Sequence, residues 1–435
     1  MRTLLNLKFD LRQTFVNICL LILLFYPYTR MSFGELIPFK FFLITCTVSL
    51  LVVVLLISYK NFKMDMADIN VLFMLIIMYL WNNWDFKYGV YYSLFGHAIW
   101  FVFYIFASKN PRWIKIAVKF SIFVGLFYSF WTILTWLNSD VYFNFVLPIV
   151  DRMSVYSLAN QYNQGYMAGL TSHYSTNGLY LSMGVCFTLG YYFFEDKKLN
   201  KVSLKGWVIL LIQLFSIFLT GKRGPIIFII LAFFVTYSIC NSDAPITKYV
   251  KVFLIAFAGV IAFIILSYFI PPLMNFIVRF EEQISNNDIS SSRFDLWRDA
   301  WNGFVNKPLL GNGWYWYKYN NFKNSTIYHP HNVYIQWLCE VGIVGSIALF
   351  TFNISMYIKA FKMLKMSTFG KIVTDNREKK LLAISVLYQT FFICMNFTGT
   401  AFCELQSICP YILCCAFTQL LWKKYVHGKN NLNRG

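Results

Sequence analysis

The sequence predicts an all-α, polytopic integral membrane protein of about twelve transmembrane helices. Three observations predict it. Hydrophobic residues make up 58% of the 435-residue chain and charged residues only 13%. Apolar runs long enough to cross a bilayer recur along it, among them FFLITCTVSLLVVVLLISY at Phe41–Tyr59. The basic residues are sorted between alternate connections.

The apolar runs fall near 13–29, 41–59, 67–84, 88–107, 114–138, 175–194, 205–220, 224–240, 250–270, 333–358, 381–399 and 408–422. Each is expected to be helical, because backbone in hydrocarbon must satisfy its hydrogen bonds within the segment. The first run lacks a small-residue cleavage site and continues into YPYTRMS, so it reads as a retained helix. With the N-terminus cytoplasmic, the inside connections collect 26 of the 38 Lys and Arg, which places both termini in the cytoplasm. Much of the net charge of +19 is then topological, and it argues for no nucleic-acid partner. Residues 1–435 read as one membrane domain with two long outer segments, 139–174 and 271–332. The ten cysteines lie mostly within apolar runs, with neither a disulfide framework nor zinc spacing.

The exceptions to this charge pattern carry the chemistry. GKRG, Gly221–Gly224, is the tight connection between two spans and puts Lys222 and Arg223 at the outer boundary. A basic residue there costs roughly 2.5 to 3.5 kcal/mol if it sinks to the centre of a span. Snorkelling to headgroups is the plain alternative to a binding role.

In the larger outer segment, Leu273, Ile277, Phe280 and Ile284 recur at helical spacing, as in a helix lying in the interface. SSRFDLWRDAWNGF follows, with Ser292 and Asp295 at capping-box spacing and Trp297, Trp301 and Phe304 on one face. Arg293 shares that apolar face, aimed at a membrane-level cavity or at lipid headgroups. Pro308, Gly311 and Gly313 then turn the chain into an aromatic cluster, Trp314–Tyr319. An interfacial belt is the first reading of such a cluster, and a sugar-stacking surface is the second.

Two of the five histidines stand in TIYHPHNVYIQWLCEVGIVG, at the mouth of the next span. His331 and Asn332 precede, by nine residues, two glycines one turn apart, Gly342 and Gly345. Such a pair reads first as a close helix-packing seam, and a boundary histidine first as a hydrogen-bonded structural group. His329 precedes proline and is therefore extended. Glu340 is an acid within a predicted span, paired with an arginine or held at the water boundary. His97, within an apolar run, reads as a core histidine.

Taken together these motifs resemble the O-antigen ligase and Wzy-type polysaccharide polymerase superfamily. HN-x9-GxxG at His331–Gly345 is similar to its signature, with Ser346 where members usually have Thr. Ser291, Arg293 and Trp297 with Pro308, Gly311 and Gly313 resemble its outer-loop pattern, and GKRG its small-residue/arginine turn. The resemblance covers roughly Thr220 to Leu349. It implies a GT-C-type, inverting, metal-independent glycosyltransferase acting on an undecaprenyl-diphosphate-linked oligosaccharide at the outer face of the bacterial cytoplasmic membrane. A chain-length regulator and a flippase are its implied partners, and no cofactor is called for.

By the same resemblance, Arg223 and Arg293 would hold the diphosphate and His331 would act on the acceptor hydroxyl. A guanidinium donates a planar fork to phosphate oxygens and keeps its charge. A histidine near neutrality can take a hydroxyl proton. Lys222, Arg298, His329, Asn332, His173 and Arg152 are candidates for substrate contacts in the same cavity. Asp295 and Asp299 read as a solvated helix face, and no D-x-D motif demands a metal. Three functions compete: a polymerase of lipid-linked repeat units, a ligase delivering glycan to lipid A core or another surface acceptor, and a glycolipid transporter. Transport is least favoured, since no repeat is visible and the basic clusters lie at one face instead of at midplane.

Overall fold

The computed structural model describes residues 11–57 (35 and 38 excepted), 64–81, 89–109, 113–150, 155–194, 202–241, isolated helical positions between 250 and 281, 293–322, 329–372 and 374–427. Among these residues there are helices and no strand. They are α1 (Leu11–Ser32), α2 (Phe39–Ile57), α3 (Met66–Leu80), α4 (Gly89–Ala107), α5 (Ile114–Leu137), α6 (Val141–Val150), α7 (Val155–Asn163), α8 (Tyr174–Tyr192), α9 (Leu204–Leu219), α10 (Arg223–Cys240), α11 (Arg293–Asn306), α12 (Trp316–Phe322), α13 (Val333–Thr368), α14 (Asn376–Thr398) and α15 (Leu405–Trp422).

The chain is an all-α membrane protein, and the expected count of twelve spans is not reached among the described residues. Four helices, α5, α10, α13 and α14, are long and apolar enough to cross a membrane, and five shorter apolar helices accompany them. For α8 the reason is physical. Its STNG start and its further Ser, Thr and Gly residues lower its hydropathy, yet every residue from Thr176 to Gly190 is buried. Protein, not lipid, surrounds it, so its sequence needs packing and not hydrophobicity. The 250–270 run and the expected interfacial helix at 273–284 lie mostly outside the described residues.

Small residues let this central helix approach its neighbours. A Cβ on Gly125 of α5 would stand 2.5 Å from the Gly184 Cα of α8 and 2.8 Å from Gln213 Nε2 of α9. Gln213 is itself held by Thr188 Oγ1, at 2.9 Å. Further along α8, a Cβ on Gly190 would meet the Ile384 backbone of α14 at 2.8 Å. His97 is a core histidine as expected, buried and bonded to the Phe402 carbonyl at 3.2 Å.

One end of the bundle is tied by ions and caps. Lys109 and Lys423 pair with Asp68 and Asp65 at the start of α3, where Gln419 also donates to Asp65 at 3.0 Å. Asp375 and Glu378 form a capping box on α14, and Lys424 reaches Glu378 at 2.5 Å. The starts of α8, α10, α13 and α15 gather at the other end.

The second glycine motif corrects the sequence expectation. Gly342 does not join a straight packing seam: at φ 63° and ψ −168° it breaks α13 within its length. The loop at Pro308–Gly313 docks into the break. Ile343 N donates to Pro308 O at 2.9 Å, Asn312 N to Cys339 O at 3.0 Å, and Gly313 N to Glu340 O at 2.8 Å. A Cβ at Gly342 would lie 2.4 Å from the Leu309 carbonyl oxygen, and one at Gly311 2.4 Å from that of Glu340. Only two glycines allow this backbone-to-backbone contact. Gly345 does serve packing, facing Ile77 of α3 at 3.2 Å. The aromatic cluster after this loop is not a lipid-facing belt: Trp314, Tyr315 and Tyr317 are buried at 1%, 6% and 2% exposure.

Candidate functional site

The site is assembled from four segments at one end of the bundle. The first is the GKRG turn. Thr220 caps α9, and Gly221 takes φ 68° beneath the ring of Tyr166, where a Cβ would come within 2.5 Å. Lys222 is then extended as the N-cap of α10, its amide bonded to Thr220 Oγ1 at 3.3 Å, and Arg223 is the first helical residue. The Lys222 stem runs past Gly178, where a Cβ would stand 3.6 Å from it, and Nζ lies 5.0 Å from the Tyr174 ring centroid.

The second segment is the start of α8. His173 caps it by accepting the Ser175 amide on Nδ1 at 3.1 Å. Tyr174 stacks on Tyr166 at 4.4 Å and on His173 at 4.5 Å. This aromatic floor is tied to the GKRG turn by Met167 N, which donates to Leu219 O at 3.0 Å.

The third segment brings Arg293, at the start of α11, and the HPHN loop. His331 has φ 53°, a left-handed conformation costing on the order of 1–3 kcal/mol for a residue with a side chain. Asn332 accounts for the sharp entry into α13. Its side-chain oxygen accepts from Tyr334 N at 3.1 Å and Ile335 N at 3.2 Å, so it serves as the cap of α13.

Charge shows which groups converge. Burial, then Arg293, then Lys222 lower the His331 pKa to about 4. Burial, Lys222 and His331 lower that of His173 to about 4. Burial and Arg293 lower Lys222 to about 8. Lys222, Arg293, His331 and His173 therefore feel one another's charge and form one cationic cluster around neutral imidazoles. Arg223 is adjacent in the chain and half-buried. Arg298 stands apart, exposed on α11 and paired with Asp295 at 2.9 Å. Arg152 lies outside the described residues.

The fourth segment is one that the sequence did not single out. Glu404 ends the 399–404 turn, which is held by Phe402 N donating to Asn396 Oδ1 at 2.8 Å. Thr400 reaches Glu404 Oε1 at 3.3 Å, whereas Oε2 is buried with no partner among the described residues. Burial raises this carboxyl to about 7, against the pull of Thr400 and Lys222. Its signal in the sequence was slight, a single acid in a short outer connection. Glu340 likewise pairs with no arginine among the described residues: its Oε1 accepts from Gln336 Nε2 at 3.1 Å and Tyr317 N at 3.3 Å.

A cluster of fixed cations beside an unprotonated imidazole suits transfer from a phosphate leaving group. Residues 208–350 match the family model described as O-antigen ligase. The match supports the O-antigen ligase/polymerase superfamily that the sequence motifs resemble. That superfamily is one of glycosyltransferase-like membrane enzymes acting on lipid-linked sugars. The matched O-antigen ligase region contains Lys222, Arg223, Arg293, Arg298, His329, His331 and Asn332. His173 and Glu404 fall outside it and join the cluster through the fold alone. No curated protein matches the chain.

Proposed function

We propose that the protein is a polysaccharide polymerase. It transfers an undecaprenyl-diphosphate-linked glycan onto the acceptor sugar of a second lipid-linked repeat unit, at the outer face of the bacterial cytoplasmic membrane. The convergence of Arg293 and Lys222 on His331, within an O-antigen ligase match, carries this reading. The acceptor hydroxyl oxygen attacks the anomeric carbon from the face opposite the diphosphate. The bond from that carbon to the diphosphate oxygen breaks, and its electron pair leaves with the lipid diphosphate. Arg293, Lys222 and Arg223 offset the charge that develops there. His331 takes the hydroxyl proton, a contribution of about 10² to 10⁴ in rate.

The low proton affinity of His331 fits this sequence of events. Burial and, after it, the two cations disfavour imidazolium, so the ring is neutral before substrate arrives. An incoming diphosphate offsets those cations and raises the proton affinity of His331 when a base is needed.

Transfer of glycan to lipid A core or another surface acceptor is the second reading, favoured by the ligase description of the matched family. Purified protein given lipid-linked repeat units distinguishes the two. A ladder of longer lipid-linked chains is expected of the polymerase, and product only on addition of a separate acceptor overturns it in favour of the ligase. Arg293→Ala and His331→Ala should each abolish transfer while the protein inserts at normal levels. Full activity in both variants would remove the site assignment.

A further inference from the structure

Glu340 and Gln336 are one turn apart on α13 and buried at 1% and 2% exposure. Glu340 Oε1 accepts the Tyr317 amide at 3.3 Å and Gln336 Nε2 at 3.1 Å. With Glu340 ionised its oxygen only accepts, so the Gln336 carboxamide presents its nitrogen there. Its oxygen is thereby turned toward the HPHN loop. On that oxygen converge His329 Nδ1, at 3.4 Å, and the thiol of Cys403, at 3.9 Å. A carboxamide oxygen only accepts, so both neighbours must donate, and His329 carries its hydrogen on Nδ1. Burial, followed by the charge of Lys318, lowers the His329 pKa to about 3 and keeps the ring neutral. A neutral imidazole with hydrogen on Nδ1 has a bare lone pair on Nε2.

We propose that Glu340 and Gln336 are positioning residues that set the tautomer of His329, presenting its Nε2 beside His331 as a hydrogen-bond acceptor for a hydroxyl of the glycan. The chain of causes runs from a buried acid to the site: carboxylate, carboxamide, imidazole, sugar. His329 and His331 are then two neutral acceptors separated by Pro330, the first held by side chains and the second by its backbone conformation. The part played in glycan handling rests on the transferase reading; the tautomer does not.

Removing the carboxamide should release the tautomer. In Gln336→Met the acceptor for the Nδ1 hydrogen is lost, and the hydrogen moves to Nε2, the tautomer that an unconstrained imidazole side chain favours. Exchanging the two residues, Glu340→Gln with Gln336→Glu, returns an acceptor to 336, whose carboxylate accepts from His329 Nδ1.

Nitrogen NMR of the full chain in detergent, labelled with ¹⁵N-histidine and assigned through His329→Asn, reads the tautomer directly. Hydrogen on Nδ1 is expected in the wild type, on Nε2 in Gln336→Met, and on Nδ1 again in the exchanged pair. Transfer is followed with lipid-linked glycan extracted from cells lacking this protein. Gln336→Met should lower kcat by on the order of 100-fold. The exchanged pair should regain most of it. Hydrogen on Nε2 in the wild type overturns the tautomer whether or not the variants fold, as does an unchanged tautomer in a folded Gln336→Met. Restored tautomer without restored transfer overturns the role in glycan handling. A wild type that transfers no glycan instead overturns the transferase reading, and the NMR result still decides the tautomer.

Discussion

Lys222 and Arg293 do different work at the residue scale although both are cations. Arg293 keeps its charge at any working pH, whereas burial and Arg293 bring Lys222 down to about 8. Lys222 is charged below that value, so raising the pH through it removes a cation from the diphosphate site. The kcat/KM for donor should therefore fall above about pH 8, since that parameter reports the free enzyme. Lys222→Arg should hold kcat/KM flat through this range. A falling limb that persists in this variant would assign the titration to another group. On the acid side, His331 is neutral above about 4 in the free protein, so its titration should not limit kcat/KM at neutral pH.

Among the elements, α13 shows how a glycine motif can be misread. Spacing alone suggested a smooth face for close packing at Gly342 and Gly345. Gly345 has that role, but Gly342 sits at φ 63° in a break filled by the Pro308–Gly313 loop. The two glycine motifs, apart in sequence, are two halves of one backbone junction. Gly342→Ala puts a Cβ 2.4 Å from a carbonyl oxygen in a left-handed conformation, and should destabilise by about 3 kcal/mol or more. Gly311→Ala should be comparable. Their effects should be less than additive in the double variant, because either one opens the junction. Thermal unfolding in detergent measures this. Gly345→Ala should cost less, because its φ is not left-handed and its Cβ would meet side chains, Val341 at 2.5 Å and Ile77 at 3.2 Å, where that of Gly342 meets backbone. Equal losses at 342 and 345 would refute the junction.

At the scale of the whole molecule, the helices alternate in direction so that Lys222, His173, His331 and Glu404 share one end. Asp65, Lys109, Glu378 and Lys423 share the other. In intact cells a cysteine at 222 should label from outside, and one at the exposed position 371 only after permeabilisation. The reverse pattern would overturn the orientation and with it an outer-face reaction.

Much of this was legible in the chain itself, because its physical cause is local. Apolar run length dictates helices in lipid, and the sorting of Lys and Arg sets the expected orientation. The HN-x9-GxxG spacing, with Arg293 and GKRG, carries the resemblance that made His331 a candidate. What only the tertiary structure decided depends on distant segments meeting. α8 reads as one more lipid-crossing run and proves to be the buried centre, wrapped in protein. The Trp314–Tyr319 aromatics look like a lipid belt, yet three of them are core. Arg298 is indistinguishable by type from Arg293, but pairs with Asp295 on an exposed face. Glu404 has no motif around it, and joins the site because the Phe402 turn is pinned to His97 and Asn396 from other helices. Run length and charge act along the chain and can be read from it, whereas a site is a meeting of side chains, and the packing of helices sets which ones meet.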